Sequence, residues 1–96
     1  MIILFAVFLK MSNFKLVQIG ERNGEYEYEW YTIAWHTSTD HEIVLDFYGE
    51  LDNSDWAKEF NKDNEWWIDG ERICWIDREY EISETQRNIL RKFGIT

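Results

Sequence analysis

Residues 24–30 read Gly-Glu-Tyr-Glu-Tyr-Glu-Trp, a strict two-residue alternation that begins at Asn23-Gly24. A period of two is that of a strand, and Asn-Gly ahead of such a run is a hairpin signal. The pattern predicts a hairpin of residues 14–22 with residues 25–35. Glu25, Glu27 and Glu29 then share one face, and Tyr26, Tyr28 and Trp30 the other. If Asn23-Gly24 is the two-residue turn, partner numbers sum to 47, so Ile19 faces Tyr28 and Val17 faces Trp30. The opposite face carries Gln18 with Glu29 and Gly20 with Glu27, then Leu16 with Tyr31 and Phe14 with Ile33. The base of this hairpin is apolar on both sides and its tip is wet on one, so something must cover the second apolar side, and the apolar residues 2–9 are the candidate.

Beyond the hairpin the period changes. Thr39-Asp-His-Glu42 has the form of a capping box, and Ile43, Val44, Phe47 and Tyr48 follow at helical spacing before Gly49. This predicts a short helix over residues 40–48, although the β-branched pair Ile43-Val44 keeps a strand open. The polar stretch 52–64 should hold one helical turn, started by Asn53 or Ser54 and anchored by Trp56 and Phe60. Asp69-Gly70 closes a second hairpin whose partners sum to 139, with Trp66 opposite Ile73 and Trp67 opposite Arg72. Ser83-Glu-Thr-Gln86 is a second capping box, opening a helix with Ile89, Leu90 and Phe93 on one stripe. Arg91 and Lys92 suit its last turn, Gly94 ends it, and Ile95 can fold back on Leu90 in a Schellman cap. The fold class expected is α+β: two antiparallel β-hairpins forming one sheet with two helices packed on one face, in the order ββαββα.

The segments Gly20-Glu-Arg-Asn-Gly-Glu-Tyr-Glu-Tyr28, Asp46-Phe-Tyr-Gly49, Asp69-Gly-Glu-Arg72 and Ile82-Ser83 resemble a group of small uncharacterised proteins from marine cyanobacteria and their tailed phages. The resemblance spans roughly residues 14–93 and leaves out the first ten. It implies no activity, because that group has no catalytic or ligand residues to carry over.

At 96 residues there is room for one domain with a modest core, here residues 11–96, preceded by an apolar extension, residues 1–10. Eight consecutive apolar residues, 2–9, fall well short of the roughly 20 that cross a bilayer. They also lack the basic start and small-residue cleavage site of a signal peptide. Met11 offers a second start, which would make the segment an added extension. If ordered, it must bury itself on this domain or on a neighbouring chain, so a homo-oligomer is expected. All 19 acidic residues lie between Glu21 and Glu84 with only five basic ones among them, leaving the body at −14 and the ends at +5. That balance opposes direct contact with nucleic acid or an anionic membrane and favours a basic protein partner. With 17 aromatics and no proline, the chain is not a disordered acidic tail. One cysteine, Cys74, excludes an intrachain disulfide or a cysteine-based zinc site and fits a reducing, cytoplasmic setting.

The residues with chemistry to offer are few. His36 and His41 stand near Asp40 and Glu42, and imidazoles with carboxylates can bind zinc, but no third strong ligand is fixed by the spacing. Solvated cap and loop residues are the simpler account of all four. Ser38 lies between His36 and Asp40 without the glycines of a nucleophile elbow. The row Glu25, Glu27 and Glu29, spaced about 6.8 Å along a strand, could mimic phosphates toward a basic protein, or simply be a strand's wet face. Trp67 with Arg72 offers a cation–π pair or an interface anchor, and Cys74 reads as a small buried hydrophobe. No catalytic set converges and no cofactor is called for. A non-enzymatic interaction protein with a basic partner leads, followed by a self-assembling homo-oligomer and then by a small metal binder using His36 and His41.

Overall fold

The alternating segment forms two ten-residue antiparallel strands, β1 (Phe14–Asn23) and β2 (Tyr26–Trp35), in a computed structural model that describes residues 13–96. The apolar extension lies outside the described residues, and with it the expectations that it covers the hairpin or forms an oligomer contact. The turn is Gly24-Glu25 rather than Asn23-Gly24: Asn23 pairs with Tyr26, and partners sum to 49. Gly24 has φ +60° and no non-glycine residue among those described has positive φ. A type II′ turn needs positive φ only at its first loop residue, where glycine is free to adopt it; the expected type I′ turn would have forced Asn23 there as well. Because the sum moves by two, the strands slide without turning over. Val17 and Ile19 still share a face with Tyr28 and Trp30, and Ile19 now sits opposite Trp30.

The second hairpin, β3 (Glu65–Trp67) with β4 (Arg72–Ile82), differs by one residue, and one residue does reverse the faces. Trp66 pairs with Cys74 and Trp67 with Ile73. Its loop has three residues, 69–71, closed by the Ile68 N–H donating to the Arg72 carbonyl at 2.8 Å. Asp69 Oδ1 accepts from the N–H groups of Glu71 and Arg72, both at 2.9 Å, so the aspartate side chain holds the loop and Gly70 needs no positive φ. Gly24→Val should therefore destabilise the protein by about 1–2 kcal/mol while Gly70→Val, whose Cβ meets open space, stays within about 0.5 kcal/mol in urea unfolding. Equal losses at the two sites would restore the two-residue turn at Asp69-Gly70.

β4 continues for 11 residues and pairs along all of β1, which makes β1 central in a four-stranded sheet of order β2-β1-β4-β3. An extra residue in β4 near Asp77 bulges the ladder between Gln18 and Ile19. Three helices connect and follow the strands: α1 (Asp40–Tyr48), α2 (Asp55–Phe60) and α3 (Glu84–Lys92). Both capping boxes form, at Thr39 and Ser83, so residues 40–48 are helix and not strand. Ser54 caps α2, where the Trp56 and Phe60 rings lie 5.5 Å apart. Gly94 and Ile95 donate to the carbonyls of Arg91 and Leu90 in a Schellman cap.

The core is Val17 and Ile19 from β1, Cys74 from β4, Ile43 and Val44 from α1, and Ile68. Two helices side by side on this face were expected; only α1 supplies helical residues to it. α3 buries none of its residues and is anchored by Arg87, whose guanidinium lies 4.5 Å from the centre of the Phe14 ring. Phe14 alternates to the side away from Val17, where it stacks on Trp35 and pairs with Ile82. Among the described residues no helix is long and apolar enough to cross a membrane.

Candidate functional site

β2 is an edge strand, and the aromatic face of the hairpin is not closed over. Tyr26 remains 69% exposed and Tyr28 and Trp30 each 42%, a row of rings that the alternation assigned to an apolar face without showing that it lies at the sheet's rim. Tyr28 and Trp30 stack with centroids 6.0 Å apart, and Trp30 reaches Phe47 of α1 at 6.5 Å. Beneath them lies Glu21, 6% exposed. Its Oε1 accepts from the Tyr48 hydroxyl at 2.8 Å and from Trp30 Nε1 at 3.3 Å. Burial, then the bond to Glu21, raises the Tyr48 phenol well above its ordinary range, so it stays a donor and fixes the Trp30 ring through the shared carboxylate.

The other face of the hairpin tip is acidic but partly compensated. Glu27 meets Arg22 at 3.3 Å, and Glu29 accepts from Gln18 Nε2 at 2.7 Å. Glu25 has left the ladder for the turn, so the expected row of three is a row of two with a third carboxylate at the tip. Between the faces runs the free edge of β2. Residues 27, 29, 31 and 33 direct their backbone groups outward, and the Ile33 N–H donates to the Thr96 carbonyl at 3.2 Å, reinforced by Thr32 Oγ1 at 2.7 Å. Among the described residues, Glu27, Glu29 and Tyr31 have no backbone partner on that side.

The remaining candidates separate. Trp67 and Arg72 do not pair: Trp67 packs edge-on against Trp56 at 5.0 Å, while Arg72 Nε donates to Asp69 Oδ2 at 2.8 Å. The cation–π contacts fall instead to Arg22 over Trp75 and Arg87 over Phe14. His36 Nδ1 lies 3.5 Å from Glu81, whereas His41 lines a cavity of about 240 Å³ with Leu51, Asp52 and Trp66, so the two imidazoles do not converge. Glu42 is held in its capping box, and the Thr39 bonds lower its pKa. Ser38 serves through its carbonyl, which accepts from Lys15 Nζ at 2.9 Å. Cys74 is fully buried opposite Glu21 in the β1–β4 ladder, and burial pushes its thiol up to about 12, which leaves it protonated and inert.

Two charged groups that the sequence reading passed over are built into the interior. Lys15, 8% exposed, bridges the Ser38 carbonyl and Glu79 Oε2, the latter at 3.3 Å. Glu79's pKa is raised, first by its hydrogen bond with Asp40, then by burial and by Asp40's charge, against the opposing pull of Lys15. A signal for both Lys15 and Glu21 was present: each is an odd-numbered residue of β1, in phase with Val17 and Ile19. At the base of the sheet a cavity of about 330 Å³ opens among Phe14, Ile33, Trp35, Ile43, Arg87 and Arg91. Comparison with protein-family models, with curated proteins and with solved structures finds no match to this chain.

Proposed function

We propose that the chain is a non-enzymatic interaction protein that receives a basic protein partner on the β1–β2 hairpin. The observation that carries this reading is the exposed rim of Tyr26, Tyr28 and Trp30, in which Glu21 holds the Trp30 ring and Tyr28 stacks on it, with Glu27 and Glu29 interleaved along the same strand and Glu25 in the adjoining turn. Rigid half-exposed aromatics lose little entropy on contact and are the residue types that anchor interfaces. Surrounding carboxylates steer a cationic partner toward them and repel an anionic one. Poly-lysine serves as the first probe. Changing Glu25, Glu27 and Glu29 together to glutamine keeps shape and β-pattern while removing three charges. Affinity for poly-lysine should drop on the order of tenfold at low salt, and the difference should shrink toward physiological ionic strength, where screening acts within about 8 Å. An affinity indifferent to the triple substitution would return these glutamates to the role of a solvated strand face.

A further inference from the structure

Resting on the reading just given, we infer that the partner is captured as an added β-strand on the outer edge of β2, and that the captured segment alternates basic with apolar residues. The edge is open where the recognition surface lies: the outward backbone groups of Glu27, Glu29 and Tyr31 are unpaired among the described residues. It is also competent for such pairing, because one position further along Ile33 already donates to a carbonyl from outside the hairpin, that of Thr96. Main-chain bonds of this kind supply affinity in strand addition, and the side chains above and below the sheet supply selectivity.

Selectivity here follows from the alternation. A residue placed opposite Glu27 or Glu29 shares the acidic face, and a residue placed opposite Tyr28 or Trp30 shares the aromatic face. A strand with lysine or arginine at every second position and apolar residues between them satisfies both faces at once. A second copy of this chain does not. The two-fold antiparallel register that uses all three open positions of the β2 edge sets Glu29 against Glu29 on one face, and like charges directly opposite destabilise a sheet. The glutamates that keep this edge from pairing with itself thus leave it open to a cationic strand.

The test uses the intact protein and three synthetic nine-residue peptides: one alternating lysine and valine, one of the same composition with its lysines grouped at one end, and the alternating peptide with backbone N-methyl groups. The alternating peptide should bind at least tenfold more tightly than the grouped one. On saturation it should slow amide hydrogen exchange at Glu27, Glu29 and Tyr31 by tenfold or more. N-methylation of one residue set should abolish binding while the other set is tolerated, the lysine set for antiparallel addition and the valine set for parallel. Equal binding of the alternating and grouped peptides, with those three amides unprotected, overturns strand addition but leaves a glutamate-dependent basic partner in place. If no lysine peptide binds in a manner that the triple glutamine substitution weakens, both readings fall.

Discussion

Gly20→Val should destabilise the protein by about 2–4 kcal/mol, lowering the melting temperature by roughly 10–20 °C. Gly20 lies in the central strand opposite Trp75 of β4, and a Cβ built on it overlaps the Trp75 indole itself. Its backbone is ordinary extended strand, so the cost is steric rather than conformational. The ring cannot simply step aside: its Nε1 donates to Asp77 Oδ1 at 2.7 Å, and the Arg22 guanidinium sits over it at 5.5 Å. Swinging the indole out would surrender both contacts and uncover the β1 backbone. Glycine is normally a weak strand residue, and here the tryptophan that covers it restores the missing packing. A double-mutant cycle isolates that coupling. Trp75→Val should cost stability alone, yet Gly20→Val added to it should cost far less than in the wild-type background. A near-silent Gly20→Val, or strict additivity with Trp75→Val, would mean that the ring moves freely and that the close approach has no energetic consequence.

What made the first hairpin legible was the period-two alternation, which survives a turn shifted by one residue because the register then slides by two. The faces of Val17, Ile19, Tyr28 and Trp30 were right although every partner was displaced. The second hairpin had no such protection. Asp69's side chain closes a three-residue loop where Asp-Gly suggested two, and the resulting single-residue slip separates Trp67 from Arg72 and turns Trp66 toward Cys74. Helix ends were readable for a different reason: capping boxes and a Schellman glycine are local, so Thr39, Ser83 and Gly94 needed no knowledge of the sheet. Sheet order is not local. That β4 would join β1 along its whole length, leaving β2 at the rim with its aromatics exposed, follows from long-range pairing that an alternating pattern does not encode. The candidate surface was therefore half visible. Its residues stood out at once, and its openness did not.

Lys15→Met is expected to lower stability by about 0.5–1.5 kcal/mol near neutral pH and by much less in mild acid. Methionine fills the same volume, so packing survives; what disappears is the only cation within the Lys15, Glu79 and Asp40 cluster. Lys15 is buried while Glu79 and Asp40 are exposed, so water screens the two carboxyls and the loss is that of one partly screened pair plus the repulsion the lysine had offset. The sign of the pH effect follows from Glu79. Its pKa in the folded protein is raised above the ordinary value of 4.5, so the native state binds more protons than the unfolded chain across that window. The group's stabilising contribution is therefore greatest below its ordinary pKa and is lost as pH rises through the raised one. Lys15 tempers that loss. Without it Glu79 moves further up, and the deficit of the variant relative to wild type should grow steadily from about pH 4.5 to about pH 7.5. Urea unfolding of both proteins at those two values decides the matter, since acid-sensitive groups elsewhere, such as Glu42 and Asp69 with their lowered pKa values, are common to both and cancel in the difference. A deficit of equal size at the two pH values would assign the loss to packing and remove the cation's role in holding Asp40 and Glu79 together.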